Sequence, residues 1–320
     1  MLDESIERSV AVIAEYQQPS GAYPASPNFK SYQYTWFRDG SFVADGMSRT
    51  GQVESAEKFF AWGAKIITDR RELIMSGGKL DARYTYDGKE AQEEWGNFQL
   101  DGYGVFLWAL KGHTERHGKP ISEYKEVVEL LQHYLVTNWQ EPCFDWWEER
   151  LGVHAATLAC VYAGLNAFGN PEAAIVKNAI DLTNERADAS LVVCALFDAV
   201  NETDFSLHLE KIEEQLVSRD GGVHRYQDDV YFGGGEWPVL SALLGWYYLK
   251  LGRTAAARAL LSWCANQADG KNWIPEQSQA HMLHPDEYEG WVKKLGKPAH
   301  PLLWSHAMVL TLASELIDTM

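Results

Sequence analysis

Residues 155–182 read AATLACVYAGLNAFGNPEAAIVKNAIDL, which is an apolar helical pattern, a glycine-containing turn and a second helical pattern. The turn is Phe168-Gly169-Asn170-Pro171. Glycine directly after a helix is typical of a helix end, because glycine adopts a positive φ without strain. Proline near the start of the next helix is also favoured, because the first backbone N–H groups of a helix have no hydrogen-bond partner within it and proline lacks that N–H. The stretch therefore predicts two antiparallel helices joined by a short turn.

Similar turns recur at residues 49–52, 117–120 and 251–254. Apolar residues at helical spacing predict helices at 5–16, 54–67, 105–110, 124–135, 155–168, 173–182, 190–200, 205–216, 239–251, 255–268 and 301–317. Long loops alternate with the short turns, at residues 17–34, 73–98, 137–147, 219–236 and 269–300. This alternation predicts a closed ring of helical hairpins, an all-α barrel forming one domain over residues 1–320, with a site built from the long loops. An open helical solenoid is the alternative, which the uneven loop lengths disfavour.

The chain is acidic, with 28 Lys and Arg against 45 Asp and Glu and a net charge of −17. Such a field repels phosphate backbones and anionic lipids, so we expect no nucleic-acid or membrane partner, whereas a neutral sugar is not repelled. There is no apolar run of about 18 residues and no signal-peptide pattern, and a cytoplasmic location is expected. The four scattered cysteines form no CxxC pair, which argues against a disulfide framework or zinc site. No metal or organic cofactor is predicted.

Tryptophan is abundant, with 13 residues, and many of them lie in the loops rather than on helical faces. The loop tryptophans are Trp36, Trp95, Trp139, Trp146, Trp147, Trp237 and Trp273. Any one of them could be a core residue. As a set beside carboxylates, they suit a pocket for a pyranose, which has flat apolar faces and polar edges.

Two glutamates stand out as candidates for acid–base chemistry. Glu148 follows Trp146-Trp147, and walls that exclude water raise a carboxyl pKa, as a general acid requires. The adjacent Glu149-Arg150 pair could be only an exposed ion pair. Glu276 follows a proline that restricts the backbone, which suits a base that must aim one water molecule. An inverting glycosidase needs two such carboxyls roughly 6.5–9.5 Å apart, and different loops of one ring end can supply that separation.

Other polar loop residues allow both functional and structural interpretations. Arg38 and Asp39 can bind a polyol edge, although local sequence alone favours a helix cap at Asp39. Asp101 could likewise cap a helix instead of binding a ligand. His306 is more simply a hydrogen-bonded structural histidine. The stretch 113–117 is HTERH, which is not the HExxH zinc pattern.

Taken together, the WxRD, WEE, PEQ and WSHA elements resemble glycoside hydrolase family 15, the glucoamylase and glucodextranase family, in order from Tyr34 to about His306. The resemblance implies an (α/α)6 barrel. It also implies an inverting exo-α-glucosidase that releases glucose from the non-reducing end of short α-glucosides, with Glu148 as acid and Glu276 as base. The predicted substrate-binding residues are Trp36, Arg38, Asp39, Trp95, Asp101, Trp147, Glu149, Arg225, Trp237 and Trp304.

The chain also departs from the family pattern. Gly235-Glu236 precedes Trp237 where the family usually has Asn-Pro, which is expected to alter the site beyond the first sugar. The chain is short and shows no β-sandwich or starch-binding module, so we expect a small substrate such as isomaltose, a short α-glucan or trehalose. Two other classes stay open. One is a non-catalytic sugar-binding barrel, and the other is a sugar epimerase or lyase relying on residues 224–226 and His306.

Overall fold

The computed structural model describes residues 2–183 and 185–319, and within them the protein is predominantly helical. Its α-helices are α1 Leu2–Tyr16, α2 Phe37–Arg49, α3 Val53–Asp69, α4 Arg71–Met75, α5 Asp101–Arg116, α6 Lys125–Asn138, α7 Ala155–Ala167, α8 Glu172–Asn178, α9 Val192–Leu196, α10 Glu202–Gln215, α11 Pro238–Lys250, α12 Thr254–Asn266, α13 Tyr288–Leu295 and α14 Leu303–Asp318. Two small antiparallel ribbons pair β1 Thr35–Trp36 with β2 Arg83–Tyr84, and β3 Cys143–Phe144 with β4 Leu151–Gly152. None of the described helices is long and apolar enough to cross a membrane.

Six helices form a closed inner ring. Going round it, α2 contacts α5, then come α7, α9, α11 and α14, and α14 contacts α2 again. The outer helices pack behind this ring: α1 on α14, α3 on α2, α6 between α3 and α5, α8 on α7, α10 on α9 and α12 on α11. Because the ring closes on itself, the architecture is the predicted (α/α)6 barrel and not an open solenoid.

Burial separates the inner helices from the outer ones. In α7 every residue from Ala155 to Leu165 is buried, and a helix that is apolar on all sides belongs in a core. Helix α1, on the outside, buries only Ser9, Val12 and Ile13. Glycine lets the inner helices α5 and α7 approach closely, because a Cβ on Gly104 would lie 2.2 Å from the Cys160 carbonyl oxygen.

The four predicted glycine turns all follow inner helices. Gly51, Gly118, Gly169 and Gly252 have φ values of 80°, 61°, 66° and 69°, in the left-handed region that favours glycine. Each glycine lies just beyond the last residue of an inner helix: α2, α5, α7 and α11 respectively. The long loops therefore precede the N-termini of the inner helices, and they gather at the opposite end of the ring.

The structure corrects two helix predictions and adds a sixth long loop. Helix α8 ends at Asn178 and α9 begins at Val192, so residues 179–191 connect an outer to an inner helix. The Asp181 carboxylate accepts hydrogen bonds from the backbone N–H and hydroxyl of Thr183, a local arrangement that competes with helical bonding. In the loop 269–300, predicted without a helix, residues Tyr288–Leu295 form α13.

Candidate active site

A cavity of about 400 Å³ lies among the long loops at the N-terminal ends of the inner helices. Every predicted catalytic and substrate-binding residue except Asp101 lines it: Trp36, Arg38, Asp39, Trp95, Trp147, Glu148, Glu149, Arg225, Trp237, Glu276 and Trp304. The two candidate catalytic glutamates thus share one cavity, although they come from the loops before α7 and α14.

Arg38 and Asp39, in the first turn of α2, line the cavity and are both buried. Arg38 donates to Gln99 at 2.8 Å and to Asp101 at 3.0 Å. Its guanidinium also lies 5.3 Å from the centroid of the Trp304 ring, within cation–π range. Burial opposes the charge of Arg38, but the carboxylates around it outweigh that effect and raise its pKa. Arg38 is therefore a fixed cation.

Asp101 does not line the cavity, which differs from its predicted role in substrate binding. It lies behind Arg38, fully buried, and accepts from the guanidinium and from the Gly102 backbone N–H. Burial raises the pKa of Asp101 against the opposing charge of Arg38. Its position suits a residue that orients Arg38 rather than one that touches a ligand.

Asp39 is not a helix cap, since α2 begins without a side-chain cap hydrogen bond. Its Oδ1 atom is buried and has no hydrogen-bond partner among residues 2–183 and 185–319, while it lies 3.4 Å from Arg38 Nε. Burial raises the pKa of Asp39 to about 7, with Arg38 acting in the opposite direction. A buried oxygen without a partner at a cavity wall is suited to accept from a ligand hydroxyl.

Glu148 sits in the tight turn between β3 and β4. Its φ is 65°, and strained conformations of non-glycine residues concentrate at functional sites. Asp145 holds the turn by accepting from the backbone N–H groups of Glu149 at 2.8 Å and Arg150 at 3.1 Å. Arg150 also pairs with Asp145 at 3.2 Å, so the alternative of a Glu149–Arg150 ion pair is wrong.

Three N–H donors converge on the Glu148 carboxylate. Trp36 Nε1 donates to Oε1 at 2.6 Å, Arg38 Nη2 donates to the same atom at 3.2 Å, and Trp95 Nε1 donates to Oε2. Trp36 and Trp95, which the sequence predicted as substrate-binding residues, therefore orient this carboxylate by hydrogen bonds. An indole N–H can serve this purpose because it is a donor with no acceptor function.

Arg83, which belongs to none of the predicted site motifs, lies behind these two tryptophans. Its guanidinium is 4.3 Å from the centroid of the Trp95 ring and 5.2 Å from that of Trp36. Burial lowers the pKa of Arg83, and the negative charge of Glu148 acts in the opposite direction. Its isolated position in the DARYTYDG stretch gave no sequence signal for this role.

Glu276 faces the same cavity and is 1% exposed. Burial raises its pKa to about 8, while the Tyr32 hydrogen bond and the charge of Arg225 act to lower it. Its Oε2 atom is buried without a hydrogen-bond partner in the described parts of the chain. Tyr32 Oη is in turn 3.0 Å from Tyr231 Oη. Both tyrosines were missed, although Tyr32 lies in an aromatic-rich loop four residues before Trp36.

Arg225, also buried, organises another part of the cavity wall. It makes two hydrogen bonds to Asp229, at 2.7 and 2.6 Å, and an ion pair with Glu149 at 3.0 Å. Its guanidinium also lies 5.3 Å from the centroid of the Trp237 ring. Trp147 is held by Asp188 in the unpredicted sixth loop, with indole nitrogen to carboxylate distances of 3.0 and 3.1 Å.

Several other predicted features lie outside the cavity. Glu236 is fully buried, and its carboxylate contacts His281 at 3.0 Å instead of lining the site. His306 accepts from the Ile274 backbone N–H at 3.0 Å, and burial lowers its pKa to about 3. It is therefore a neutral structural histidine, as the simpler interpretation predicts. Over the described residues, no group of three His, Cys, Asp or Glu side chains could hold a metal ion.

The ring of hairpins and a cavity flanked by carboxylates on separate loops define the chain as a glycoside hydrolase. A model of glycosyl hydrolases family 15 matches residues 4–189, and the chain belongs to that family. The chain is 37% identical to the isomaltose glucohydrolase of Kribbella flavida, over 98% of this chain and 93% of that protein. It is also 27% identical to an uncharacterized glycosyl hydrolase of Methanocaldococcus jannaschii, covering 97% of this chain and 55% of that protein.

Solved structures agree with this assignment. A wild-type glycosidase matches with a TM-score of 0.93 at 37% identity, covering 98% of this chain and 96% of that one. A variant glycosidase in complex with glucose matches equally well, with the same TM-score, identity and coverage. A bacterial glucoamylase in complex with acarbose has a TM-score of 0.76 at 18% identity and shares the fold, covering 98% of this chain and 55% of that one.

Proposed function

We propose that this protein is an inverting, exo-acting α-glucosidase in which Glu148 is the general acid and Glu276 the general base. One observation carries the proposal: two glutamates from different loops line a single cavity in different surroundings. One is held by three N–H donors, and the other is buried, with one carboxylate oxygen that has no hydrogen-bond partner in the described parts of the chain. The acid and base roles themselves are those that the resemblance of the WEE and PEQ elements to the family implies.

The shape of the cavity favours attack at a chain end. Arg38, Asp39 and Trp304 close its inner end, and all three are buried. We propose that Arg38 and Asp39 bind the hydroxyls of a terminal glucose, so that only its anomeric carbon reaches the two glutamates. A volume of about 400 Å³ lies toward the lower end of the range for small-molecule sites, roughly 300–1,000 Å³.

The proposed substrate is a short, neutral α-glucoside, with isomaltose first because the Kribbella flavida relative is an isomaltose glucohydrolase. Neutral hydroxyls suit a cavity in which both arginines are already paired, Arg38 with Asp101 and Arg225 with Asp229, while its third cation, Lys294, is exposed. Residues 1–320 are proposed to act as one catalytic domain.

The reaction proposed for this geometry is a single displacement. Glu148 gives its proton to the glycosidic oxygen while the bond from that oxygen to the anomeric carbon breaks. Glu276 removes a proton from a water molecule whose oxygen attacks the anomeric carbon from the opposite face. An α-linked substrate therefore yields β-glucose. Arg38 and the two indole N–H groups stabilise the carboxylate that Glu148 becomes.

The test is proton NMR of fresh product, together with glutamine substitutions at the two glutamates. We expect β-glucose first from isomaltose, and a loss of kcat of roughly 10²–10⁴-fold in Glu148→Gln and in Glu276→Gln. Glu141→Gln, an exposed carboxylate outside the cavity, is the matched control and should keep wild-type activity. Thermal melting checks that each variant is folded. Initial α-glucose, near-normal turnover in either variant, or binding without glucose release from maltose, isomaltose, trehalose, kojibiose and nigerose would refute the proposal.

A further inference from the structure

Helix α13, Tyr288–Leu295, stands apart from the barrel. It lies in the loop between α12 and α14, and its main contacts are with the short helical turns Tyr231–Gly233 and Pro285–Glu287. No residue of α13 is fully buried, so the helix adds little to the core. The barrel needs no such helix for its own closure, because α11, α12 and α14 contact one another directly.

One face of α13 nevertheless lines the cavity. Trp291, Lys294 and Leu295 all contribute to its wall. Their spacing of three and four residues places them on the same side of the helix. Lys293, between them in sequence, is exposed and does not line the cavity.

Trp291 is held by aromatic neighbours while remaining partly exposed. Its ring centroid is 5.1 Å from that of Tyr231, with an interplanar angle of 74°. It is also 6.1 Å from that of Phe232. Lys294 Nζ lies 4.9 Å from the Trp291 ring centroid. An indole held by neighbouring rings and partly open to a cavity provides a flat apolar surface for a ligand.

Burial places this surface toward the mouth of the cavity. Arg38 and Asp39, at the inner end, are buried, whereas Lys294 is exposed and the Glu149 side chain is 36% exposed. If the terminal glucose occupies the inner end, the leaving group must lie on the mouth side of the two catalytic glutamates. That is the region which α13 faces.

We infer that α13 forms a wall of the leaving-group site and that Trp291 stacks on the pyranose ring of the departing sugar. The inference rests on the proposed function and deepens it, since it assigns a specific residue to the site of the departing sugar. The stacking exists before and during bond cleavage. It therefore contributes uniform binding, whose loss raises KM and leaves kcat nearly unchanged.

The experiment compares isomaltose with α-glucosyl fluoride, whose leaving group is fluoride and carries no ring. We expect Trp291→Ala to raise KM for isomaltose about tenfold, which corresponds to about 1.4 kcal/mol of binding. For α-glucosyl fluoride, kcat/KM should stay at the wild-type value. Trp291→Phe keeps an aromatic face, so its KM for isomaltose should lie between those of the wild type and Trp291→Ala. This variant also tests the inference if the alanine variant is poorly folded. Lys293→Ala is the matched control on the outward side of α13.

Two results would overturn the inference. An unchanged KM for isomaltose in Trp291→Ala would mean that α13 does not contact the leaving sugar. An equal loss on both substrates would mean that Trp291 acts through Tyr231 on the catalytic base. Wild-type enzyme that releases glucose from neither compound would instead refute the proposed function itself.

Discussion

Trp95→Phe removes one donor from Glu148 and leaves an aromatic ring beside Trp36 and Arg83. A hydrogen bond to a charged group contributes about 1.5–3 kcal/mol, which corresponds to a factor of about 10–150 in rate. Trp36 still donates to the other oxygen of Glu148 at 2.6 Å. We therefore expect kcat on isomaltose to fall toward the lower end of that range. Trp95 is only partly buried, so the substitution should leave the melting temperature nearly unchanged.

The assay again uses two leaving groups. The departing sugar of isomaltose needs a full proton from Glu148, whereas fluoride needs much less help from an acid. Trp95→Phe should therefore lower kcat on isomaltose much more than on α-glucosyl fluoride. An equal loss on the two substrates would show that Trp95 acts on glucose binding instead. Wild-type kcat on isomaltose would show that the Trp95 hydrogen bond has no role in orienting the acid.

The remaining predictions concern pH and packing. Because burial raises the pKa of Glu276 to about 8 and a base must be ionised, Glu276 should set the rising, acidic limb of the pH profile of kcat/KM on isomaltose; since the reaction also needs a protonated acid, the profile should be bell-shaped and not reach a plateau. The same raised pKa means that the folded state holds the proton more tightly, so Glu276 makes stability fall as pH rises from 4.5 toward 8. Glu276→Gln should therefore melt above the wild type at pH values over 8 and close to it below 4.5, and equal melting across this window would contradict the linkage. Gly104→Ala should cost about 1–3 kcal/mol of folding free energy in denaturant unfolding, because its Cβ would meet the Cys160 carbonyl oxygen. Gly112→Ala in the same helix, with no atom closer than 3.7 Å, should stabilise by about 0.5–1 kcal/mol, and equal effects would refute the packing argument.

The ring architecture could be predicted because its signals are local. Glycine after an inner helix requires a left-handed backbone, and that requirement is visible at Gly51, Gly118, Gly169 and Gly252 without knowledge of the fold. Helical periodicity then gave most of the helices between these turns. The connection between α8 and α9 was predicted too short, as residues 183–189 instead of 179–191, because apolar residues at helical spacing continue beyond the ends of both helices; the Asx turn at Asp181 lies within the stretch predicted as helix.

The site was predicted only as far as its motifs extend. Glu148, Glu276 and the tryptophans belong to recognisable sequence elements, and the structure brings them to one cavity. Asp101 and Arg83 act through other side chains, and such roles depend on packing that a linear pattern does not encode. Tyr32 and Tyr231 are 199 positions apart, so their hydroxyl pair at 3.0 Å could not be inferred from spacing.

The topology explains how Gly235-Glu236 can replace the Asn-Pro that is usual in the family without disturbing the site of the first sugar. Each long loop supplies a separate part of the cavity, so a change in one loop need not propagate to the others. Glu236 illustrates this, since it stands where Asn-Pro is usual but exchanges backbone hydrogen bonds with Ser278 and turns its carboxylate to His281. Trp237, the next residue, still lines the cavity. The acidic substitution is therefore directed away from the substrate, and differences in substrate range should be sought in the mouth, where α13 adds Trp291.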